Sequence, residues 1–110
     1  MRIERELMRG AGPAAVMRLL SGGEKYGYQL AQLLDRQSAG VLAMGQSTLY
    51  PLLYNLQAKG LIASRIDTAE SARPRKYYRL TDKGKRRLAR DQKQWEALAV
   101  AMGQLGILGT

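Results

Sequence analysis

A chain of 110 residues with 45% apolar and 25% charged residues has room for one ordinary globular domain and an appended helix, which excludes wholesale disorder and a second folding unit. The chain contains no cysteine and no histidine, so a disulfide framework is excluded and the commonest metal ligands and the commonest general base are missing. A formal net charge of +9 and a pI of about 10.3 favour a polyanionic partner, either nucleic acid or an anionic membrane surface.

In chain order, Pro13 suits the first turn of a helix, and Val16, Leu19 and Leu20 then share one face. The residues before Gly10 read either as an extension of this helix or as a separate arm. Ser21-Gly22-Gly23 is a stop and turn. A second helix is expected from about Gly27 to Gln37, with Leu30, Leu33 and Leu34 as its apolar stripe, ended by Ser38-Ala39-Gly40. A short connection through Met44-Gly45 leads to a third helix, from about Gln46 to Lys59. There Leu49, Leu52, Leu53 and Leu56 fall at i, i+3, i+4 and i+7, and Gly60 is the expected left-handed cap.

Beyond Gly60 the period changes. Leu61 to Thr68 is rich in β-branched and apolar residues and reads as a strand, Thr68 to Pro74 as a loop, and Lys76 to Thr81 as a second strand with Tyr78 and Leu80 facing inward. A fourth helix begins at Thr81-Asp82, with the threonine as N-cap, and ends near Gly106. Three helices, a hairpin and a helix make a winged helix-turn-helix layout: mainly α with a small β-hairpin, followed by a C-terminal dimerisation helix. The expected division is residues 1–81 for the winged domain and 82–110 for the helix and tail. A plain α+β domain is the alternative fold, but it leaves the basic hairpin without a purpose.

With about 100° per residue and the leucines inward, the third helix presents Ser47, Pro51, Tyr54 and Ala58 outward, with Thr48, Tyr50 and Asn55 on its flanks. This face carries no charge before Lys59. Its hydroxyls, amide and aromatic edges can hydrogen-bond base edges and phosphates, and the helix start at Gln46 and Ser47 offers N–H groups to a phosphate. The competing reading packs Tyr50 or Tyr54 against a neighbouring helix. Pro51 removes one backbone hydrogen bond.

Positive charge is concentrated: eleven of the 18 Lys and Arg lie between Arg65 and Lys93, against four acids. Arg73, Arg75 and Lys76 stand at the hairpin tip, placed to grip phosphates or enter the minor groove of double-stranded DNA. Lys83, Lys85, Arg86, Arg87 and Arg90 read as the solvated face of the fourth helix. Later in that helix Leu88, Trp95, Leu98, Met102 and Leu105 recur at three- and four-residue intervals, with Asp91 in one slot, as a short seam for a homodimer. Folding of the helix back onto its own domain is the alternative. Trp95, the single tryptophan, could frame a flat apolar pocket between two subunits or simply pack there.

No metal site or cofactor is expected. An enzyme would need a carboxylate pair or a lysine nucleophile, and the nine acids are scattered beside basic residues. No stretch reads as a membrane span or an export signal, so a cytoplasmic protein without a membrane partner is expected. A winged-helix protein-interaction module without DNA binding is the competing function, and it would lack the basic wing tip.

Several segments together resemble a known family. Lys25-Tyr26-Gly27-Tyr28-Gln29-Leu30 is similar to its His-Gly-Tyr-Glu-Leu/Ile segment, and Ser47-Thr48-Leu49-Tyr50-Pro51-Leu52-Leu53 to its Gly-Thr-Leu-Tyr-Pro-x-Leu recognition helix. Gly60-Leu61-Ile62, the run Arg73-Pro74-Arg75-Lys76-Tyr77-Tyr78-Arg79-Leu80-Thr81 and Lys83-Gly84 are similar to its wing and the continuation. On these motifs the chain resembles the PadR-like transcriptional regulators, in their shorter subfamily. The resemblance implies a dimeric repressor of a palindromic operator, often released by a small molecule. It also implies a small aromatic effector at Trp95, which matches a tryptophan facing a flat pore between subunits in some members. Tyr26 stands where His is usual and Ser47 where Gly is usual, departures that bear on the operator sequence.

Overall fold

Local chemistry and packing agree most closely in the third helix. The computed structural model, which describes residues 1–68 and 73–109, orders the chain as α1 (Arg5–Leu20), β1 (Lys25–Tyr26), α2 (Gly27–Gln37), α3 (Gln46–Ala58), β2 (Ile62–Asp67), β3 (Arg75–Leu80) and α4 (Asp82–Gln104). Leu49, Leu53 and Leu56 of α3 are buried. They meet Val16, Met17 and Leu20 of α1, Leu30 and Leu34 of α2, and Ile62, Tyr78 and Leu80 of the sheet in one core. Each fully buried leucine contributes roughly 1.5–3 kcal/mol.

α3 ends where Gly60 takes a left-handed φ of +75°. The Leu61 N–H donates to the Leu56 carbonyl at 3.0 Å and the Gly60 N–H to the Gln57 carbonyl at 2.9 Å, the paired bonds of a Schellman motif. The chain then enters β2. α4 starts against the same corner. Thr81 Oγ1 accepts from the Gly84 N–H at 3.0 Å, and the Thr81 N–H donates to the Leu61 carbonyl at 3.1 Å. The Lys83 ammonium donates to the Lys59 carbonyl at 2.8 Å. Gly84 is required here, because a Cβ at that position would lie 2.0 Å from the Leu61 carbonyl oxygen. The end of the third helix, the start of the hairpin and the start of the fourth helix thus form one knot.

The sheet is antiparallel in the order β1-β3-β2. β2 and β3 are the expected hairpin, with Tyr78 and Leu80 buried. The expected loop over 68–74 lies partly outside the described residues. The third strand, β1, has two residues, too few to leave a periodic signal, and pairs Lys25 with Tyr78 and Tyr26 with Tyr77.

Of the two readings of the residues before Gly10, the extension of the helix holds for α1. This helix runs from Arg5, with Pro13 in its interior. An interior proline costs about 3 kcal/mol in an isolated helix. Tertiary contacts offset it: Met8 is buried in the core, Ile3 packs on it, and the Ile3 N–H donates to the Val41 carbonyl at 3.1 Å.

α4 has 23 residues, roughly 35 Å of helix, and the molecule is 53 Å along its longest axis. Only its first two turns belong to the core, through Gly84 and Leu88. It ends in a second Schellman pair, Ile107 N–H to the Met102 carbonyl and Gly106 N–H to the Gly103 carbonyl. No helix among the described residues is long and apolar enough to cross a membrane.

Candidate nucleic-acid interface

With its leucines committed to the core, α3 exposes Gln46, Ser47, Thr48, Pro51, Tyr54, Asn55 and Ala58. Its N-cap is Gly45, which supplies no side-chain bond, and the first turn carries no acid. The partial positive charge of the helix start is therefore not neutralised by the protein. Pro51 has no N–H to offer the Ser47 carbonyl, which lies on the same exposed face.

The two tyrosines of α3 divide. Tyr54 is 75% exposed. Tyr50 is half-sheltered, its ring lying over Gly27 at the start of α2: a Cβ there would stand 2.7 Å from the phenol oxygen and 3.0 Å from two ring carbons. The expectation of an open flank and that of packing on a neighbouring helix thus each hold in part for Tyr50. Tyr50 also lies near Tyr78 on the inner face of β3, whose phenol is pushed above its ordinary pKa by burial and then by Tyr50. One flank of α3 is in this way seated against α2 and the sheet.

Arg73, Arg75 and Lys76 are all exposed where the chain enters β3. The β2–β3 register places Arg75 opposite Asp67 and Tyr77 opposite Arg65. On that outer face the Arg75 guanidinium stacks 4.7 Å from the Tyr26 ring centre and Arg65 stacks 4.9 Å from that of Tyr77. The two rings meet edge to face at 5.7 Å. Glu24 accepts two hydrogen bonds from Arg65, and Asp67 lies 3.3 Å from the same guanidinium. The Arg65 hydrogen bonds hold the Glu24 carboxyl below its usual range and raise the arginine further. Arg65 is thereby neutralised within the hairpin, whereas Arg75 has an aromatic seat that orients it and leaves its charge outward. On the inner face Lys76 sits 5.6 Å from the Tyr78 ring centre.

Sequence reasoning missed these supports: Tyr26, Glu24 and Arg65 on the outer face, and Gly27 beneath Tyr50. The glycine followed by Tyr28 was the available signal, but only the fold reveals which ring covers it.

The residues expected to form a seam on α4 differ in burial. Leu88 is buried in the winged domain's own core, because the first turns of α4 are knotted to Leu61 and Thr81. Trp95 and Leu98 are 42% and 48% exposed, Met102 is half-buried, and Leu105 is exposed and stands just past the helix as its C-cap.

Three helices and a three-stranded antiparallel sheet, followed by a long fourth helix, with the uncharged polar face of α3 beside a basic hairpin, define a winged helix-turn-helix fold. The sequence profile described as "Transcriptional regulator PadR-like family" matches residues 16–90. The chain is 34% identical over 95 residues to transcriptional regulator Rv3488 of Mycobacterium tuberculosis, covering 86% of this chain and 85% of that one. It is similar to the crystal structure of a PadR family transcriptional regulator from Eggerthella lenta, with a TM-score of 0.77 and 38% identity over 91% of this chain and 81% of that one. A Bacillus subtilis PadR solved in complex with operator DNA matches with a TM-score of 0.66 and 29% identity, over 72% of this chain and 45% of that longer one. The chain belongs to the PadR-like family, whose members are transcriptional regulators and not enzymes.

Proposed function

We propose that this chain is a sequence-specific DNA-binding regulator that acts as a homodimer, most simply a repressor of a palindromic operator. The observation that carries this reading is the exposed polar face of α3, free of charge, beside a wing whose Arg73, Arg75 and Lys76 face solvent. In this reading α3 enters the major groove, Tyr54, Thr48 and Ser47 meet base edges or phosphates, and the wing holds the backbone or the minor groove. The operator complex of the Bacillus subtilis PadR supports double-stranded DNA as the partner. A gel shift against the DNA upstream of the chain's own coding sequence tests it. Binding that survives a large excess of random duplex is expected. Absence of any shift would favour a protein-interaction module instead. Tyr54→Ala should weaken operator binding more than non-specific binding and leave the thermal midpoint unchanged, since the ring is mostly exposed.

The dimer is supported by the exposed apolar residues from Trp95 onward: Trp95 and Leu98 on α4, and Leu105, Ile107 and Leu108 just past its end. In this reading the division expected at residue 81 moves along α4: the reading domain extends to Leu88, and the helix and tail beyond it join two copies. A flat aromatic effector stacks between the two Trp95 rings. Its binding changes the separation of the reading helices, which must reach major grooves about one turn of DNA, roughly 34 Å, apart. By linkage it then lowers operator affinity. Titrating planar aromatic cations while following Trp95 fluorescence, with and without operator, checks this. Quenching with unchanged operator affinity would refute the regulatory role.

A further inference from the structure

We infer that the start of α1 supplies a second set of phosphate contacts, through Arg5 and Arg9 with Arg2 beside them, on the flank of α3 opposite the wing. The inference rests on the DNA-binding reading above and adds an element to it.

The two flanks of α3 face different neighbours. Tyr50 covers Gly27 and points to α2 and the hairpin. Leu52, on the other flank, meets α1, since a Cβ at Gly12 would lie 2.9 Å from its methyl group. Arg2, Arg5 and Arg9 border one open groove together with Thr48, Asn55 and Ser47 of the reading helix. Arg5 and Arg9 are one turn apart and so project from the same side of α1. All three arginines are exposed, and none has an ion-pair or hydrogen-bonded partner among the described residues. Glu4 and Asp91 are the acids on this groove. Asp91 is committed to Arg87 at 3.2 Å and to Arg90 at 3.7 Å, and Lys59 adds a further positive charge. The lining of the groove, with Arg2, Arg5, Arg9, Lys59 and Arg87 against Glu4 and Asp91, is therefore net positive.

A helix lying in the major groove has a phosphate strand on each side of it. The wing can reach one. The arginines of α1 stand on the other flank, which the wing does not occupy. Arg5 and Arg9 are long, always charged and able to grip phosphate through two N–H groups at once. Phosphate contact is independent of sequence, so the contribution falls equally on operator and random DNA.

The test measures the salt dependence of binding to a random 30-base-pair duplex and to the chain's own upstream DNA. The proteins are the wild type, R5Q/R9Q, R5K/R9K, and R18Q as an exposed arginine on the same helix that does not border the groove. Each lost phosphate contact lowers the log–log slope by about 0.9. R5Q/R9Q should therefore flatten the slope by about 2 per bound protomer and weaken binding to both duplexes by on the order of tenfold or more near 0.1 M salt. R5K/R9K should keep the slope and R18Q should leave it unchanged, with circular dichroism unaltered in all. Arg5→Gln alone should give half the change in slope, so a double variant that misfolds does not block the reading. An unchanged slope in R5Q/R9Q with wild-type binding intact would overturn the proposal, as would an equal loss in R18Q, which would reduce the effect to net charge. Failure of the wild type to bind either duplex would instead defeat the DNA-binding reading, and this proposal with it.

Discussion

The winged head and the distal half of α4 are built on opposite terms. In the head, helix stripes, hairpin and the first turns of α4 converge on one core that reaches full burial at Val16, Leu30 and Leu53. Past Leu88 no residue of α4 is buried, and Trp95, Leu98 and Val100 stand 42–62% exposed. The head satisfies its apolar surface within one chain; the distal helix carries a comparable apolar pattern that its own chain covers only in part. Similar local patterns therefore have different consequences, according to whether the fold brings a second layer over them.

The comparison can be broken most severely at Leu53. Leu53→Ala leaves a cavity under α3 and should lower unfolding stability by about 3 kcal/mol, read from a urea transition. Leu98→Ala should leave the head's transition in place and instead weaken self-association in sedimentation runs. An equal loss of head stability from both would remove the distinction.

Two glycines of α4 sharpen it next. Gly84→Ala drives a methyl group into the Leu61 carbonyl oxygen and should destabilise by about 2–3 kcal/mol, loosening α4 from the knot around Thr81. Gly103→Ala is the same change in the distal half, where a Cβ meets nothing within 4 Å. It should stabilise by up to about 1 kcal/mol through helix propensity alone. Paired thermal melts of the two variants check the opposite signs.

A smaller effect concerns the hairpin's outer face. Glu24 has a lowered pKa through its bonds to Arg65. The stability this pair adds is full above the ordinary glutamate range and is lost as pH falls through the lowered pKa. Both groups are exposed, so the gain is small. Glu24→Gln should flatten the fall in thermal midpoint on acidification below that range and leave the distal helix's contribution untouched.

Much of this architecture was legible because it is written in short-range chemistry. The α3 leucines, the glycine after Lys59, the Thr81 cap and the inward Tyr78 and Leu80 each depend on neighbours within a turn or a strand pair, and each stands where the pattern placed it. The exposed Ser47, Thr48 and Tyr54 follow from the helical period, and the exposed Arg73, Arg75 and Lys76 from their place at the hairpin tip. The parts that were not legible depend on partners far along the chain. Pro13 reads locally as a helix start, yet Met8 and Ile3 find the core and carry the helix through it. β1 exists only because β3 lies beside it.

By itself, then, the sequence determined the third helix, its polar face, the hairpin and its basic tip, because hydrophobic period, caps and turn residues act over a few residues. The tertiary structure decided which flank of α3 each neighbour occupies, that Leu88 belongs to the head, that Arg65 is neutralised while Arg75 is only seated, and that Arg5 and Arg9 share a groove with Thr48. Those outcomes turn on the distance between groups 20 or more residues apart. A periodicity cannot encode that distance; the packing of whole elements sets it.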